Sequence, residues 1–202
     1  MRGYYFITDA ALSRAGNLSD VHSALAAGVA VVQYRDKRAA GREMLAEAGR
    51  LREICRDALF LVNDRVDIAL GVEADGVHLG QDDLPYETAR RLLGERKIIG
   101  LTVHNLAEAL EAQSLGADYL GVSPIFTTGT KKDAGPPGGL SLIREIKRQV
   151  SIPVIAIGGI NLQNAAAVIQ AGADGVCAIS AVVTSPDVRA EIAKFQALFR
   201  DI

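Results

Sequence analysis

The chain has 202 residues, 49% of them hydrophobic and 23% charged, and its 22 Lys and Arg against 24 Asp and Glu give a formal net charge of −2. A chain of that length buries roughly 70–75% of its unfolded surface, so one globular domain over residues 1–202 is the expectation, without the global positive field that nucleic-acid binding requires. Two cysteines 122 residues apart, Cys55 and Cys177, no signal-peptide pattern and no run of about 18 apolar residues point to a reduced cytoplasmic protein rather than a secreted, disulfide-stapled or membrane-spanning one.

Short β-branched runs alternate with stretches of helical period from end to end. The spacing predicts strands over 4–8, 29–35, 59–63, 76–80, 98–103, 119–124, 154–158 and 175–180, with amphipathic segments between them, for example over 41–57, 105–115, 161–171 and 187–200. Val and Ile run through these strands without strict alternation, as expected of a parallel sheet covered on both faces. Eight units of about 25 residues fit a single closed (β/α)8 TIM barrel better than an open flavodoxin-like sheet. A weak repeat supports the same unit: Glu73-Ala74-Asp75-Gly76-Val77, Gly116-Ala117-Asp118-Tyr119-Leu120 and Gly172-Ala173-Asp174-Gly175-Val176 each end a helix, turn and enter a strand. Ala-Asp-Gly is also plain turn chemistry, so the repeat stands beside that simpler reading.

A barrel of this kind carries its reacting groups at the C-terminal strand ends, which can be taken in order. The first strand ends in Thr8-Asp9. The second ends in Gln33-Tyr34-Arg35-Asp36-Lys37, where alternation sets Gln33, Arg35 and Lys37 on one face, toward the mouth. An amide that can read a heterocycle stands there beside two cations that can grip phosphate, although a solvated charge run has the same composition. Asn63-Asp64 ends the third strand and Gly80-Gln81-Asp82-Asp83 follows the fourth, so two carboxylates, Asp64 and Asp83, lie 19 residues apart at neighbouring strand tops. Mg²⁺ uses only one or two protein carboxylates and fills its shell with water and phosphate oxygens, which suits this pair; helix N-capping is the competing use.

After the sixth strand, residues 127–139 have no secondary-structure pattern and contain Thr128, Thr130 and Lys131, hydroxyls and an ammonium that can donate to phosphate in a glycine-bearing turn. The seventh strand ends in Gly158-Gly159 and the eighth in Ala178-Ile179-Ser180, where loops of this fold recurrently bind phosphate. The histidines are poorer candidates: His22 reads as a surface residue, and His78 and His104 lack a second ligand at metal spacing. Neither cysteine has a redox or nucleophilic context, and no Ser-His-Asp elbow or dinucleotide fingerprint is present. A phosphate cradle, a second cationic patch and a carboxylate pair suited to a divalent metal together imply two phosphorylated groups in one mouth, and therefore transfer.

At this point the residues resemble a known family. Gln33-Tyr34-Arg35-Asp36-Lys37, Asn63-Asp64, Gly80-Gln81-Asp82-Asp83, Thr128-Gly129-Thr130-Lys131 and Ile157-Gly158-Gly159-Ile160 are similar, in order and across essentially the whole chain, to the successive motifs of the thiamine phosphate synthases. The resemblance implies joining of 4-amino-5-hydroxymethyl-2-methylpyrimidine diphosphate to a thiazole phosphate, carboxylated or not, with release of thiamine monophosphate and pyrophosphate. It implies that Gln33, Arg35, Lys37, Asn63 and Lys131 hold the pyrimidine diphosphate, that Asp64 and Asp83 bind Mg²⁺, and that Thr128, Thr130, Gly159, Ile179 and Ser180 hold the thiazole phosphate. Arg35, Lys37 and Lys131 would carry the catalytic charge neutralisation. Thr102, on the pyrimidine side, departs from the serine usual in the family.

Three alternatives stay open on the residues. A thiazole tautomerase would need an acid-base residue, typically histidine, near the end of the sixth strand, where Ser123-Pro124 stands. A non-catalytic paralogue binding thiamine precursors would have lost a metal carboxylate or Lys131. A Schiff-base lyase would need a buried strand lysine, for which Lys37 is the sole candidate. The expected partners are the two small-molecule substrates, without nucleic acid or membrane, and a homo-oligomer through the outer helices is left open.

Overall fold

The computed structural model describes residues 1–129 and 135–200. Eight strands, β1 (Gly3–Ile7), β2 (Val31–Tyr34), β3 (Leu59–Asn63), β4 (Gly76–Leu79), β5 (Ile98–Val103), β6 (Tyr119–Val122), β7 (Val154–Ile157) and β8 (Gly175–Cys177), pair in sequence order, all parallel, and β8 closes back on β1. Helices follow them: α1 (Asn17–Ala26), α2 (Gly41–Ile54), α3 (Val66–Gly71), α4 (Tyr86–Leu93), α5 (Leu106–Leu115), α6 (Gly139–Lys147), α7 (Ala165–Gln170), and the pair α8 (Ile179–Val183) and α9 (Val188–Ala197) after β8. The expected TIM barrel is the fold observed. β3 and β5 span the expected residues and β1 is shifted by one, while β2, β4, β6, β7 and β8 are shorter than the runs that predict them. The eighth departs most: the ladder stops at Cys177, and Ile179 and Ser180 open α8 instead of ending a strand.

Alternation divides the core in two. Tyr4, Phe6, Val32, Tyr34, Phe60 and Val62 point outward into the layer under the helices, where Phe195 of α9 meets the Tyr4 ring at 5.1 Å between centroids. Tyr5, Ile7, Val31, Leu61, Tyr119, Ile155 and Cys177 point inward and fill the barrel. Helix boundaries follow local chemistry: Asn105 caps α5 by accepting the Glu108 N–H at 2.9 Å, Asp187 caps α9 by accepting that of Ala190, and Gly116 ends α5 at φ +95.

The three-fold sequence repeat has a structural counterpart. Asp75, Asp118 and Asp174 each stand one residue before a strand and accept, at 2.8 Å, the N–H of the residue across the ladder, Phe60, Ile99 and Val154. Each also pairs with a cation from the last-but-one helix before it, Arg52 at 3.5 Å, Arg90 at 3.0 Å and Lys147 at 2.8 Å. The first quarter of the barrel has Ala30 at the equivalent register position, and there Gln196 of α9 takes over: its Oε1 accepts the Tyr4 N–H at 3.0 Å and its Nε2 donates to the Gly28 carbonyl. Among the described residues, no helix is long and apolar enough to cross a membrane.

Candidate active site

The C-terminal strand ends surround a cavity of about 130 Å³ that opens to solvent. Gln33, Arg35 and Lys37 all line it, as period-two alternation along β2 and its extension requires. Arg35 is held twice from β1. Its backbone N–H donates to Thr8 Oγ1 at 2.8 Å while the Thr8 hydroxyl donates to the Arg35 carbonyl at 3.2 Å, and its guanidinium reaches Asp9 Oδ2 at 2.9 Å. Asp9 itself is fixed by the N–H groups of Ala11 and Leu12, so the β1 loop and the guanidinium form one unit. Asp9 had no assigned part in the sequence reading, because its partner lies 26 residues away.

Beneath this wall a continuous polar chain crosses the barrel. Gln33 Nε2 donates to Tyr5 Oη at 2.8 Å, Tyr5 and Tyr119 share a hydrogen bond at 2.7 Å, and His78 joins Tyr119 Oη to Thr102 Oγ1, each at 2.8 Å. The rings of His78 and Tyr119 stack at 5.4 Å between centroids. Burial, together with the neighbouring Tyr5 hydroxyl, raises the Tyr119 phenol well above its ordinary range, and burial raises that of Tyr5, so both tyrosines are neutral hydrogen-bonding groups here. His78 and Thr102 line the cavity, and the His78 ring packs directly on Gly121, where a Cβ would stand 2.8 Å from His78 Cε1. Tyr5, His78 and Tyr119 were also not singled out as site residues from sequence, since tyrosines in strands read as core; their inward alternation was the available signal. His22 is exposed, as expected.

The carboxylate pair converges. Asp64 follows β3 in a left-handed conformation, φ 60, uncommon for a non-glycine residue, held by its N–H on the His78 carbonyl at 2.8 Å. Asp83 Oδ2 accepts the Gly80 N–H at 2.7 Å, and both aspartates and Asn63 line the cavity, whereas Asp82 does not. Burial, then the neighbouring Asp64 carboxylate, raises the Asp83 carboxyl above its ordinary value. Lys37 forms an ion pair with Asp64. Among the described residues no three His, Cys, Asp or Glu gather at one point, so the fit is to a cation that needs only two protein carboxylates and takes its remaining oxygens from water and substrate. Two mutually repelling carboxylates at a polar rim are what Mg²⁺ would relieve.

Opposite this rim, Gly158 and Gly159 turn at φ +99 and +64, and their backbone lies so close to the β6 segment that a Cβ on Gly159 would stand 2.6 Å from the Thr127 carbonyl and one on Gly158 2.8 Å from Pro124. Asn164 Nδ2 holds the Gly159 carbonyl at 3.0 Å. Thr128, Gly159, Ile179 and Ser180 all line the cavity on this side, beside the first turn of α8, the geometry in which this fold takes phosphate. The expected phosphate contacts Thr130 and Lys131 lie outside the described residues.

Comparison with known proteins agrees with this geometry. A family described as thiamine monophosphate synthase matches residues 4–182. A thiamine-phosphate synthase of Methanosarcina barkeri is 55% identical over 198 residues, covering 98% of this chain and 90% of the relative, and one of Chloroflexus aurantiacus is 53% identical over 197 residues, covering 96% and 91%. Among solved structures, a thiamine phosphate pyrophosphorylase from Pyrococcus furiosus superposes with a TM-score of 0.91 at 44% identity, covering 98% of this chain and 96% of that one.

Proposed function

Because this chain belongs to the thiamine monophosphate synthase family and is a transferase, we propose that its mouth joins a hydroxymethyl-aminopyrimidine diphosphate to a thiazole phosphate, releasing thiamine monophosphate and pyrophosphate. One observation carries the reading: cationic Arg35 and Lys37, the amide of Gln33 and the carboxylates of Asp64 and Asp83 line the same cavity as the Gly158-Gly159 turn, so two anions can be held on opposite sides of one space. In this assignment Gln33 and Thr102 face the pyrimidine ring. Arg35, Lys37 and Asn63 hold its diphosphate, with Lys131 assigned from sequence position alone. Asp64 and Asp83 hold Mg²⁺. Thr128, Gly159, Ile179 and Ser180, with Thr130 by sequence position, hold the thiazole phosphate.

In the reaction the bond between the pyrimidine methylene carbon and the diphosphate oxygen breaks and a bond from the same carbon to the thiazole nitrogen forms. The ring amino group stabilises the electron-poor methylene. The attacking nitrogen carries no proton, so no strong base is needed. Arg35 and Lys37 neutralise the charge that develops on the leaving diphosphate, and the two anchored anions set the reacting atoms in line. When bound, Mg²⁺ would add charge neutralisation at the diphosphate oxygens. Ser123 stands where a tautomerase would need its base. The whole chain acts as one catalytic unit in the cytoplasm, in accord with two buried, unpaired cysteines.

The test is incubation of the purified protein with both substrates, with Mg²⁺ and then with chelator. Equal amounts of thiamine monophosphate and pyrophosphate, formed only with metal, are expected. Isomerisation of the thiazole alone, or binding of both without product, would overturn the assignment.

A further inference from the structure

Lys37 touches the candidate metal site as well as the diphosphate wall. Its side chain is 52% exposed, yet its ammonium lies on the Asp64 carboxylate, which is 18% exposed and fixed by the left-handed turn after β3. The Asp64 backbone cannot swing to release the contact, because its N–H is engaged by the His78 carbonyl and the next N–H, of Arg65, by the Asn63 carbonyl at 2.7 Å. The long lysine stem can. On the other side of the pair, Asp83 is held by the Gly80 N–H. The wall therefore has one carboxylate on a held backbone, one held by its own oxygen, and one cation on a long flexible stem, and that cation rests on one of the oxygens that a metal would require.

We propose that Lys37 is an internal competitor for the metal: its ammonium and a divalent cation bind Asp64 in exclusion of one another, and a phosphate group that draws Lys37 into the cavity releases Asp64 to the metal. Metal and phosphate then favour each other's binding through one lysine, beyond their direct attraction. Arg35 provides the contrast within the same wall. It is also a cation paired with a carboxylate, but its partner is Asp9, bound to the β1 loop, so Arg35 has no claim on the metal oxygens. The inference rests on the assignment of Asp64 and Asp83 to the metal.

The test is Mn²⁺ binding to the whole protein, read from the electron paramagnetic resonance of free Mn²⁺, for the unaltered chain and for Lys37→Met, Arg35→Met and Asp64→Asn, each checked for folding by thermal unfolding. Lys37→Met is expected to bind Mn²⁺ about threefold to fivefold more tightly, the scale of an ion pair with one exposed partner, with Arg35→Met unchanged to within about a factor of two. Inorganic phosphate is expected to tighten Mn²⁺ binding in the unaltered chain and to do so less in Lys37→Met. Unchanged or weaker binding in Lys37→Met would overturn the proposal, and so would equal tightening in Lys37→Met and Arg35→Met, which would mean a general field effect. Asp64→Asn separates the two levels. If it binds Mn²⁺ as the unaltered chain does, the metal assignment itself fails; if it loses binding while Lys37→Met gains none, only the competition fails.

Discussion

The two ends of the barrel use aspartate in opposite ways. At the N-terminal end Asp75, Asp118 and Asp174 each accept a strand N–H and each meet a cation, a closed arrangement repeated every two βα units. At the C-terminal end Asp64 faces Asp83, and burial with that neighbour leaves the Asp83 carboxyl raised. The three periodic aspartates are each satisfied within the chain; at the other end Asp9 and Asp64 also meet cations, and it is Asp83, set against Asp64 with no ion pair of its own among the described residues, that leaves a charge for a ligand to resolve. Stability and chemistry are thus separated along the barrel axis, as the architecture permits.

Asp118→Ala tests the periodic end most severely. It leaves the Ile99 N–H and the Arg90 guanidinium without their partner, at a cost of about 1.5–3 kcal/mol, measured by denaturant unfolding, while turnover of the folded protein stays near normal. The neutral corner should matter less: Gln196→Ala removes uncharged bonds to Tyr4 and Gly28 and should cost about 1 kcal/mol in all. Between these lies the polar chain that crosses the barrel interior. Gly121→Ala drives a methyl against His78 and should cost about 1–3 kcal/mol, with a raised KM for the pyrimidine diphosphate because His78 and Thr102 shift together.

The smallest effect is with pH. The Cys55 thiol is pushed by burial from 9.0 to about 12, and the phenols of Tyr4, Tyr5, Tyr34 and Tyr119 are likewise raised by burial. A group whose folded pKa is raised contributes stability that is complete below its unfolded value and lost as pH climbs toward the folded one. Stability should therefore hold up to about pH 9 and fall above it, with the phenolate absorbance of the buried tyrosines appearing only as the chain unfolds. A gradual phenolate titration in the folded state would show that the barrel interior is wetter than described.

How much of this could be read from residues alone differs between the ends. The three Ala-Asp turns were visible as a repeat, yet their partners were not, because a strand N–H 15 to 20 residues away is found only through the ladder register. Period-two alternation placed Gln33, Arg35 and Lys37 together correctly, since it is a local property of β2. Asp9 and His78 escaped it for the opposite reason: their significance lies in contacts with Arg35, Tyr119 and Thr102, made from one strand to another. The eighth strand was read too long because Ala178-Ile179-Ser180 is apolar enough for a strand and is taken instead into the short helix that borders the cavity.

The most direct test of the separation is Asp83→Asn, followed by thermal unfolding in chelator and by turnover with Mg²⁺. Asparagine keeps an oxygen for the Gly80 N–H and removes the charge facing Asp64, so the account predicts a midpoint that is unchanged or higher and a turnover lower by about 10²-fold or more. A variant that loses stability and activity in proportion would contradict it, for Asp83 would then be another structural aspartate like those at the barrel's other end.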